Sequence, residues 1–100
     1  MATDKQFAET LIKGLWEVRI RPMMGEYVLY CREKVVGGIY DNRLLIKPVP
    51  EAQELLPNAR YELPYVGAKP MLRVENYDKA FLQELLFAVA DALPAPKKKR

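Results

Sequence analysis

Histidine and serine are absent from the 100 residues of this chain, and cysteine occurs once, at Cys31. Neither a Ser–His nor a Cys–His nucleophile pair can therefore be assembled. A zinc site needs about three or four His, Cys or carboxylate ligands, which argues against such a site here. We predict a protein that is not an enzyme, with no catalytic, cofactor-binding or metal-ligating residues and no cofactor. A single cysteine cannot form an internal disulfide, which fits a reducing, cytoplasmic compartment.

Long apolar stretches and phosphate-binding signatures are missing as well. The longest unbroken apolar run, residues 85–90, is far shorter than the ~20 residues that a membrane span requires. The first six residues are polar and include Asp4, so they lack the pattern of a secretory signal. Gly37 and Gly38 form an isolated pair rather than a phosphate-binding loop. The sequence thus predicts a cytoplasmic protein with no membrane partner.

The basic charge of the chain is concentrated at one end. There are 16 Lys and Arg residues against 13 Asp and Glu residues, which gives a net charge of +3. Four of the 16 occupy residues 97–100, so 12 basic residues face 13 acidic ones elsewhere. A near-neutral body gives no general electrostatic case for nucleic-acid binding. We predict one folded domain over residues 1–94 and a basic flexible tail, residues 95–100, that attracts anions weakly and in a salt-sensitive manner.

The first half of the chain combines a helix with several strands. Thr3 and Gln6 have the spacing of a capping box, and the apolar residues that follow predict a helix over residues 4–15. Residues 18–24 form a strand that Pro22 and Gly25 interrupt, which indicates a bulge or kink. A three-strand antiparallel meander with two-residue turns follows, over residues 27–31, 34–40 and 43–47.

The second half predicts a short helix over residues 50–56, strands over residues 61–65 and 71–75, and a last helix that Asn76 caps. The buried stripe of that helix is predicted to comprise Phe81, Leu85, Ala88, Val89 and Ala92. The element order is α-β-β-β-α-β-β-α. An antiparallel sheet packed with helices, in the α+β class, is the architecture that this order favours.

Apolar residues occupy both faces of the predicted sheet. Leu29 and Cys31 point one way, and Val28 and Tyr30 point the other. A sheet with one face in water would show clean alternation of apolar and polar residues. We therefore expect helices or a second subunit to cover each face at least in part, which predicts self-association or partner docking.

Two short segments place Pro and Gly around Met, Tyr and Lys at fixed offsets. They are residues 21–25, Arg-Pro-Met-Met-Gly, and residues 64–71, Pro-Tyr-Val-Gly-Ala-Lys-Pro-Met. Together they resemble the signature of the TfoX (Sxy) N-terminal domain family, and the resemblance runs over residues 7–93. The first motif of that family typically has Phe where Met24 stands here. The second motif matches at every fixed position.

The resemblance implies an α-β(3)-α-β(2)-α domain, similar in arrangement to type III secretion chaperones. It also implies a bacterial cytoplasmic protein linked to the regulation of competence genes. Full-length regulators of this kind carry a second, C-terminal helical domain, for which this chain has no room. The resemblance thus leads us to expect a stand-alone domain.

A surface for protein contacts is the first functional hypothesis. We predict a non-catalytic module that acts in transcriptional and competence regulation, through a protein partner of the transcription machinery or as a homodimer. If the two motifs lie side by side, the interaction surface comprises Arg21, Met23, Met24, Tyr65, Lys69 and Met71. The alternative is that the methionines pack in the core beneath the proline-containing loops, and that Lys69 is a turn residue.

A basic face of the sheet is the second hypothesis. Residues two or four apart on a strand share a face, so four basic residues can form two aligned pairs. The alternative function is then a small DNA-binding accessory protein that uses this face and the basic tail. The candidate contacts are Arg19, Arg21, Arg43 and Lys47. An ordinary solvated face, neutralised by Glu17 and Glu26, is the competing interpretation.

Two further interpretations concern reactivity. Cys31 is either a redox sensor or a buried core thiol, and the second is favoured because Arg32, its neighbour on the strand, points to the opposite face. A small-ligand binder or enzyme built on Lys69, tyrosines and carboxylates is a third functional class. Nothing in the sequence locates the paired carboxylates with raised pKa values that acid–base catalysis would need.

Overall fold

The computed structural model describes residues 2–94, and the predicted tail, residues 95–100, lies outside them. This part of the chain forms three helices and six strands. Their bounds are α1 (Lys5–Ile12), β1 (Val18–Met23), β2 (Glu26–Cys31), β3 (Lys34–Tyr40), β4 (Arg43–Ile46), α2 (Pro50–Leu55), β5 (Tyr61–Glu62), β6 (Met71–Val74) and α3 (Lys79–Ala92).

The strands form one antiparallel sheet in the order β1-β2-β3-β4-β6-β5, which confirms the α+β class. Strands β1 to β4 are successive neighbours, so the meander has four strands where three were predicted. The additional strand is β1, which pairs with β2 along its whole length. Strand β5 is shorter than the predicted residues 61–65, because the chain leaves the sheet after Glu62.

Three two-residue turns hold the meander in register. They are Met24-Gly25, Arg32-Glu33 and Asp41-Asn42, and φ lies between 52° and 86° at all six positions. Two consecutive residues with positive φ form a type I′ turn, whose twist matches that of the strands it joins. The predicted breaks at residues 32–33 and 41–42 are therefore confirmed as tight hairpins.

The predicted bulge near Pro22 and Gly25 is wrong. The β1–β2 register is unbroken from Val18 opposite Cys31 to Met23 opposite Glu26. Pro22 fits here because β1 is an edge strand, where a missing N–H costs no ladder hydrogen bond. The register shift lies instead between β2 and β3, at the Leu29/Tyr30 step.

The three helices pack on one face of the sheet and form a single apolar core with it. The cluster joins residues of every helix to residues of strands β2, β3, β4 and β6. Its fully buried large side chains include Leu29, Ile39, Leu44, Ile46, Leu72, Leu82, Leu85 and Leu86. Cys31 belongs to this core, has no exposed surface and is a free thiol, as the buried-thiol interpretation predicted.

Both long helices begin differently from the prediction. The side chain of Asp4, not Thr3, caps α1 by accepting a hydrogen bond from the backbone N–H of Gln6 at 3.2 Å. The side chain of Asp78 caps α3 by accepting from the N–H of Phe81 at 3.0 Å. Asn76 instead accepts from the N–H of Asp78. Because Ser, Thr, Asp and Asn all cap well, sequence spacing alone does not choose between neighbours of these types.

The buried stripe of α3 also differs from the predicted one. The buried residues are Leu82, Leu85, Leu86, Val89 and Ala90, whereas Ala92 is exposed and Phe81 and Ala88 are half-buried. This helix is apolar around most of its circumference, so two overlapping stripes satisfy helical periodicity. Packing against the sheet and α2 selects one of them. Helix α1 ends at Ile12, three residues before the predicted end.

The face of the sheet opposite the helices, termed the helix-free face below, is not bare. Val28, Tyr40 and Leu45 are buried but lie outside the helical core cluster. The segment between β5 and β6, residues 63–70, crosses this face and brings the Tyr65 ring centroid to 6.1 Å from that of Tyr40. This face is thus covered in part, as predicted, but by an irregular segment of the chain and not by the helices or second subunit that were expected.

Thr3 is the buried polar residue that attaches the N-terminal segment to the sheet. Its hydroxyl donates to the Glu26 carboxylate at 2.6 Å and accepts from the backbone N–H of Asn42 at 3.2 Å. The backbone N–H of Asp41 donates to the same Glu26 oxygen at 3.0 Å. The hydroxyl that the sequence assigned to a helix cap therefore links two hairpins.

We predict that Thr3→Val lowers the free energy of unfolding by about 1–3 kcal/mol, since it leaves the Glu26 carboxylate and the Asn42 N–H short of a partner. Thr10→Val is the matched control, because Thr10 is exposed on α1, and its effect should stay within about 0.5 kcal/mol. Urea unfolding followed by circular dichroism measures both. Equal effects of the two substitutions would contradict this role for Thr3.

Candidate functional site

The two sequence motifs lie next to each other on the helix-free face. The first motif ends β1 and forms the turn to β2, and the second supplies most of the segment between β5 and β6. Met23 and Met24 from the first motif line the same depression as Pro64 and Tyr65 from the second. The sequence alone left this adjacency open, and the structure establishes it.

Two depressions flank Tyr65. One, termed the Met24 cleft, has a volume of about 440 Å³ and is lined by Met23, Met24, Glu26, Tyr40, Pro64 and Tyr65. The other, termed the Lys69 pocket, has a volume of about 400 Å³ and is lined by Val35, Gly37, Tyr40, Lys47, Pro48, Pro64, Tyr65, Ala68, Lys69, Pro70 and Met71. The two depressions share Tyr40, Pro64 and Tyr65, so they adjoin each other on the surface.

The methionines of the first motif are at the surface. Met24 is 98% exposed and Met23 is 39% exposed, so the interpretation that they pack in the core is wrong. Met24 takes the first position of a type I′ turn, which directs its side chain away from the sheet. Met71 is half-buried and lines the Lys69 pocket. Lys69 is an exposed residue of the segment that forms the wall of that pocket.

Tyr40 is the central side chain that the sequence analysis did not single out. Its ring lies against the backbone of Gly38, where a Cβ would meet the ring and would also come within 2.8 Å of the Tyr27 carbonyl oxygen. The Gly-Gly pair inside a strand is the sequence signal for such a close approach. Burial raises the pKa of the Tyr40 phenol, and the neighbouring Tyr65 and Glu26 add to this effect. Tyr40 is therefore uncharged at neutral pH and contributes its ring to the lining of both depressions.

Two of the four candidate nucleic-acid contacts, Arg19 and Arg43, are paired with carboxylates. Arg19 pairs with Glu33 at 2.8 Å and stacks on the Tyr30 ring at 4.0 Å, and Arg21 lies 5.8 Å from the same ring. Arg43 pairs with Glu62 at 2.7 Å, whereas Lys47 lines the Lys69 pocket.

The acids expected to neutralise this face are engaged elsewhere. Glu17 pairs with Arg32 at 3.4 Å, and Glu26 binds Thr3 and the N–H of Asp41. Glu33 and Glu62 are the observed partners instead. Strand order decides which acid pairs with which arginine, and the distance along the sequence does not reveal which strands are neighbours.

Cys31 is no reactive thiol in this fold. Burial raises the pKa of its thiol, and this outweighs the opposite effect of the nearby Arg32 guanidinium. A reactive cysteine needs thiolate character and exposure, and Cys31 has neither.

A further depression lies on the helix side, between α1 and Tyr77, with a volume of about 420 Å³. The ammonium of Lys79 in its lining donates to the carbonyl oxygens of Thr10 and Leu11 at 2.8 and 2.7 Å. These carbonyls belong to the last turn of α1, where a cation is stabilising. Lys79 thus has a structural role.

Within residues 2–94, no group of three or more His, Cys, Asp or Glu residues could hold a metal ion. In that same stretch, no helix has the length and apolar character needed to cross a membrane.

Glu62 joins the strands beneath the second motif. Its carboxylate accepts from Arg43 on β4 at 2.7 Å and from Arg73 on β6 at 3.2 Å. The hydrogen bond from Arg43, assisted by Arg73, lowers the pKa of Glu62 below its ordinary value. The guanidinium of Arg43 also donates to the Leu63 carbonyl, so this group fixes the start of the segment that carries the motif.

We predict that Glu62→Gln reduces stability at neutral pH but not in acid. Because the pKa of Glu62 is lower in the folded than in the unfolded chain, its carboxylate contributes stability above the ordinary pKa of 4.5, and that contribution is lost as pH falls through the lowered pKa. The stability difference between wild type and variant should therefore shrink below about pH 4.5. Urea unfolding between pH 3 and pH 7 measures it.

Glu84→Gln is the matched control, since Glu84 is an exposed residue of α3. It should give a small difference that does not follow this pH profile. A Glu62→Gln difference that stays constant with pH would contradict the ion-pair explanation.

Comparison with known proteins places these motifs in a family. The family model of the TfoX N-terminal domain matches residues 10–86. An uncharacterized 12.7 kDa protein in the trpE 5′ region of Spirochaeta aurantia is 39% identical over 105 residues, which cover 100% of this chain and 91% of that protein. No solved structure matches, so the likeness to type III secretion chaperones stays a prediction.

Proposed function

Because the chain belongs to the TfoX N-terminal domain family, we propose that it is a regulatory module that acts through protein contacts and catalyses no reaction. The observation that carries the proposal is the convergence of both sequence motifs on the Met24 cleft. Residues that are far apart in sequence form one exposed surface there, on the face that no helix covers.

The chemistry of this surface suits protein docking. Met24 and Tyr65 are 98% and 59% exposed and line the same cleft, and Val66, which follows Tyr65, is 97% exposed. Unbranched, polarisable methionine adapts to the shape of a partner, and aromatic residues contribute large contact area. The proposed docking surface comprises Arg21, Met23, Met24, Tyr65, Lys69 and Met71.

A tight turn and several hydrogen bonds hold the residues beneath the docking surface in place, which favours binding. Met24 sits in a type I′ turn, and the N–H of Thr3 donates to the Gly25 carbonyl at 2.9 Å. Arg43 and Glu62 fix the start of the second motif. A surface that is ordered before binding loses little conformational entropy when a partner arrives.

We place this module in transcriptional control of competence genes, in the cytoplasm, with a protein of the transcription machinery as its partner. The family match supports the regulatory assignment. A second copy of the chain is the other occupant that the experiment below distinguishes.

We predict that Met24→Asp weakens partner binding by about tenfold or more, because a charge at the centre of an apolar contact must be desolvated. The measurement is affinity capture from cells that produce the protein, with the captured proteins identified by mass spectrometry. Enrichment of RNA polymerase or a transcription factor that Met24→Asp abolishes is the expected result.

Trp16→Asp is the matched control, since Trp16 is 74% exposed but contacts α3 on the helix side through Gln83. It should leave capture unchanged, and both variants should unfold at the wild-type temperature. A dimer in light scattering that Met24→Asp dissociates would assign the surface to a second copy. Capture of the same proteins by both variants would refute the docking surface.

A DNA-binding accessory protein is the second candidate. Arg21 and Lys47 lie on the helix-free face and form no ion pair with any other residue between 2 and 94, and the basic residues 97–100 add charge. Arg19 and Arg43 already bind carboxylates, which weakens this candidate.

Fluorescence anisotropy with a 20-base-pair duplex between 50 and 200 mM salt tests this candidate. If Arg21 and Lys47 contact phosphates, the double variant Arg21→Gln/Lys47→Gln should reduce the slope of log K against log salt by about 2. Lys13→Gln, a change at an exposed lysine that follows α1, should not reduce the slope. Under the docking proposal we expect no difference between these variants.

A further inference from the structure

We propose that the Lys69 pocket binds a small organic anion, with an apolar or aromatic body and a single acidic head group such as a carboxylate. The pocket overlaps the docking surface at Tyr65, Lys69 and Met71, but its ligand is a small molecule rather than a protein. The inference does not depend on the identity, or the existence, of a protein partner.

The charges in the pocket lining have one sign. Lys47 and Lys69 are its charged residues, and no Asp or Glu lines it. Lys47 follows β4 and Lys69 lies in the segment before β6, so the fold brings together two cations that are distant in sequence. Neither forms an ion pair with any residue of the described chain. Two like charges in one apolar-walled pocket favour an anion between them.

Nearby carboxylates are held by other groups. Glu62 is bound to Arg43 and Arg73, and Glu33, which lies in a depression on the other side of Lys47, is bound to Arg19 at 2.8 Å. Glu26, in the adjacent Met24 cleft, accepts from Thr3 and from a backbone N–H. The positive charge of the pocket is therefore left for a ligand to neutralise.

The remaining walls suit an apolar body. The rings of Tyr40 and Tyr65 lie 6.1 Å apart at an interplanar angle of 58°, and Val35 and Met71 complete the lining. Ligand sites are mostly apolar with a few convergent polar groups and occupy about 300–1,000 Å³. The volume of about 400 Å³ lies at the small end of that range.

The pocket is formed before a ligand arrives. Pro48, Pro64 and Pro70 occur in its walls, and each fixes its own φ angle. The ring of Tyr40 rests on Gly38, so it has no freedom to close the space. Preorganisation of this kind lowers the entropic cost of binding.

Two other depressions among the described residues, the Met24 cleft and the depression on the helix side, lack this combination. The Met24 cleft includes Glu26, and the depression between α1 and Tyr77 includes Asp4 beside Lys79, whose ammonium already donates to two carbonyl oxygens. Selection for an anion is thus a property of the Lys69 pocket.

The test compares two probes with nearly the same aromatic body. One is 1-anilinonaphthalene-8-sulfonate, an anion, and the other is N-phenyl-1-naphthylamine, which lacks the sulfonate. Fluorescence titration gives the affinities, and nitrogen–proton correlation spectra locate the binding. We expect saturable one-to-one binding of the anion, with shifts of the amides of Gly37, Ala68 and Met71, and weaker binding of the neutral probe.

Charge variants then test the two lysines. Lys47→Gln and Lys69→Gln should each weaken binding of the anionic probe by about threefold or more, while binding of the neutral probe stays unchanged. Lys69→Arg retains the charge and should restore affinity. Lys13→Gln is the control, because this exposed lysine follows α1, away from the pocket.

Three results would overturn the proposal: equal affinity for both probes, amide shifts outside the pocket, or anion binding that neither Lys47→Gln nor Lys69→Gln weakens. Because the titration contains no second protein, its failure leaves the docking proposal standing. Failure of the capture experiment, in turn, leaves this pocket untouched.

Discussion

The contact of the Tyr40 ring with the backbone of Gly38 is the constraint on which the functional face depends. A side chain at residue 38 would meet this ring and the Tyr27 carbonyl oxygen, so strand β3 requires glycine there. Tyr65 packs against this ring, with the two ring centroids 6.1 Å apart, where the segment between β5 and β6 crosses the sheet. The distance between the two motifs, and the shape of both depressions, follow from that packing.

Electrostatics divides the same face into parts with different chemistry. The carboxylates on strands β2 and β5 accept hydrogen bonds from structural partners. Glu26 accepts from Thr3 and a backbone N–H, and Glu62 accepts from two arginines. Lys47 and Lys69 form no ion pair within the described residues and lie beside the apolar walls of their pocket. Met24 and Met23 present apolar surface without cations in the same cleft. The proposed docking surface and the Lys69 pocket share Tyr65, Lys69 and Met71, so a partner and a small anion would contact some of the same side chains.

Local signals predicted two of the three hairpin turns and the helix at Pro50–Leu55, because turn residues and proline act through their own backbone. The errors fall where several residues satisfy the same local rule. Thr3 and Asp4 both suit a helix cap, and the choice fell to Asp4 because Thr3 is held by Glu26. The apolar residues of α3 fit more than one stripe, and contact with the sheet selected Leu82 and Leu86 over Phe81 and Ala92. The sequence analysis identified both motifs of the candidate site. It did not predict that the motifs are adjacent or that Tyr40 lies beside them.

By itself, the sequence determined the α+β class, the tight turns at residues 32–33 and 41–42 and the absence of Ser–His or Cys–His pairs, since these depend on residue types and on neighbours a few positions apart. Tertiary structure alone decided which cations stay unpaired, where Met23 and Met24 lie, and that residues 21–25 and 64–71 share a surface. The physical reason is that ion pairs and pockets form between strands that are adjacent in space, and strand order β4-β6-β5 is set by burial of the whole core rather than by any local segment.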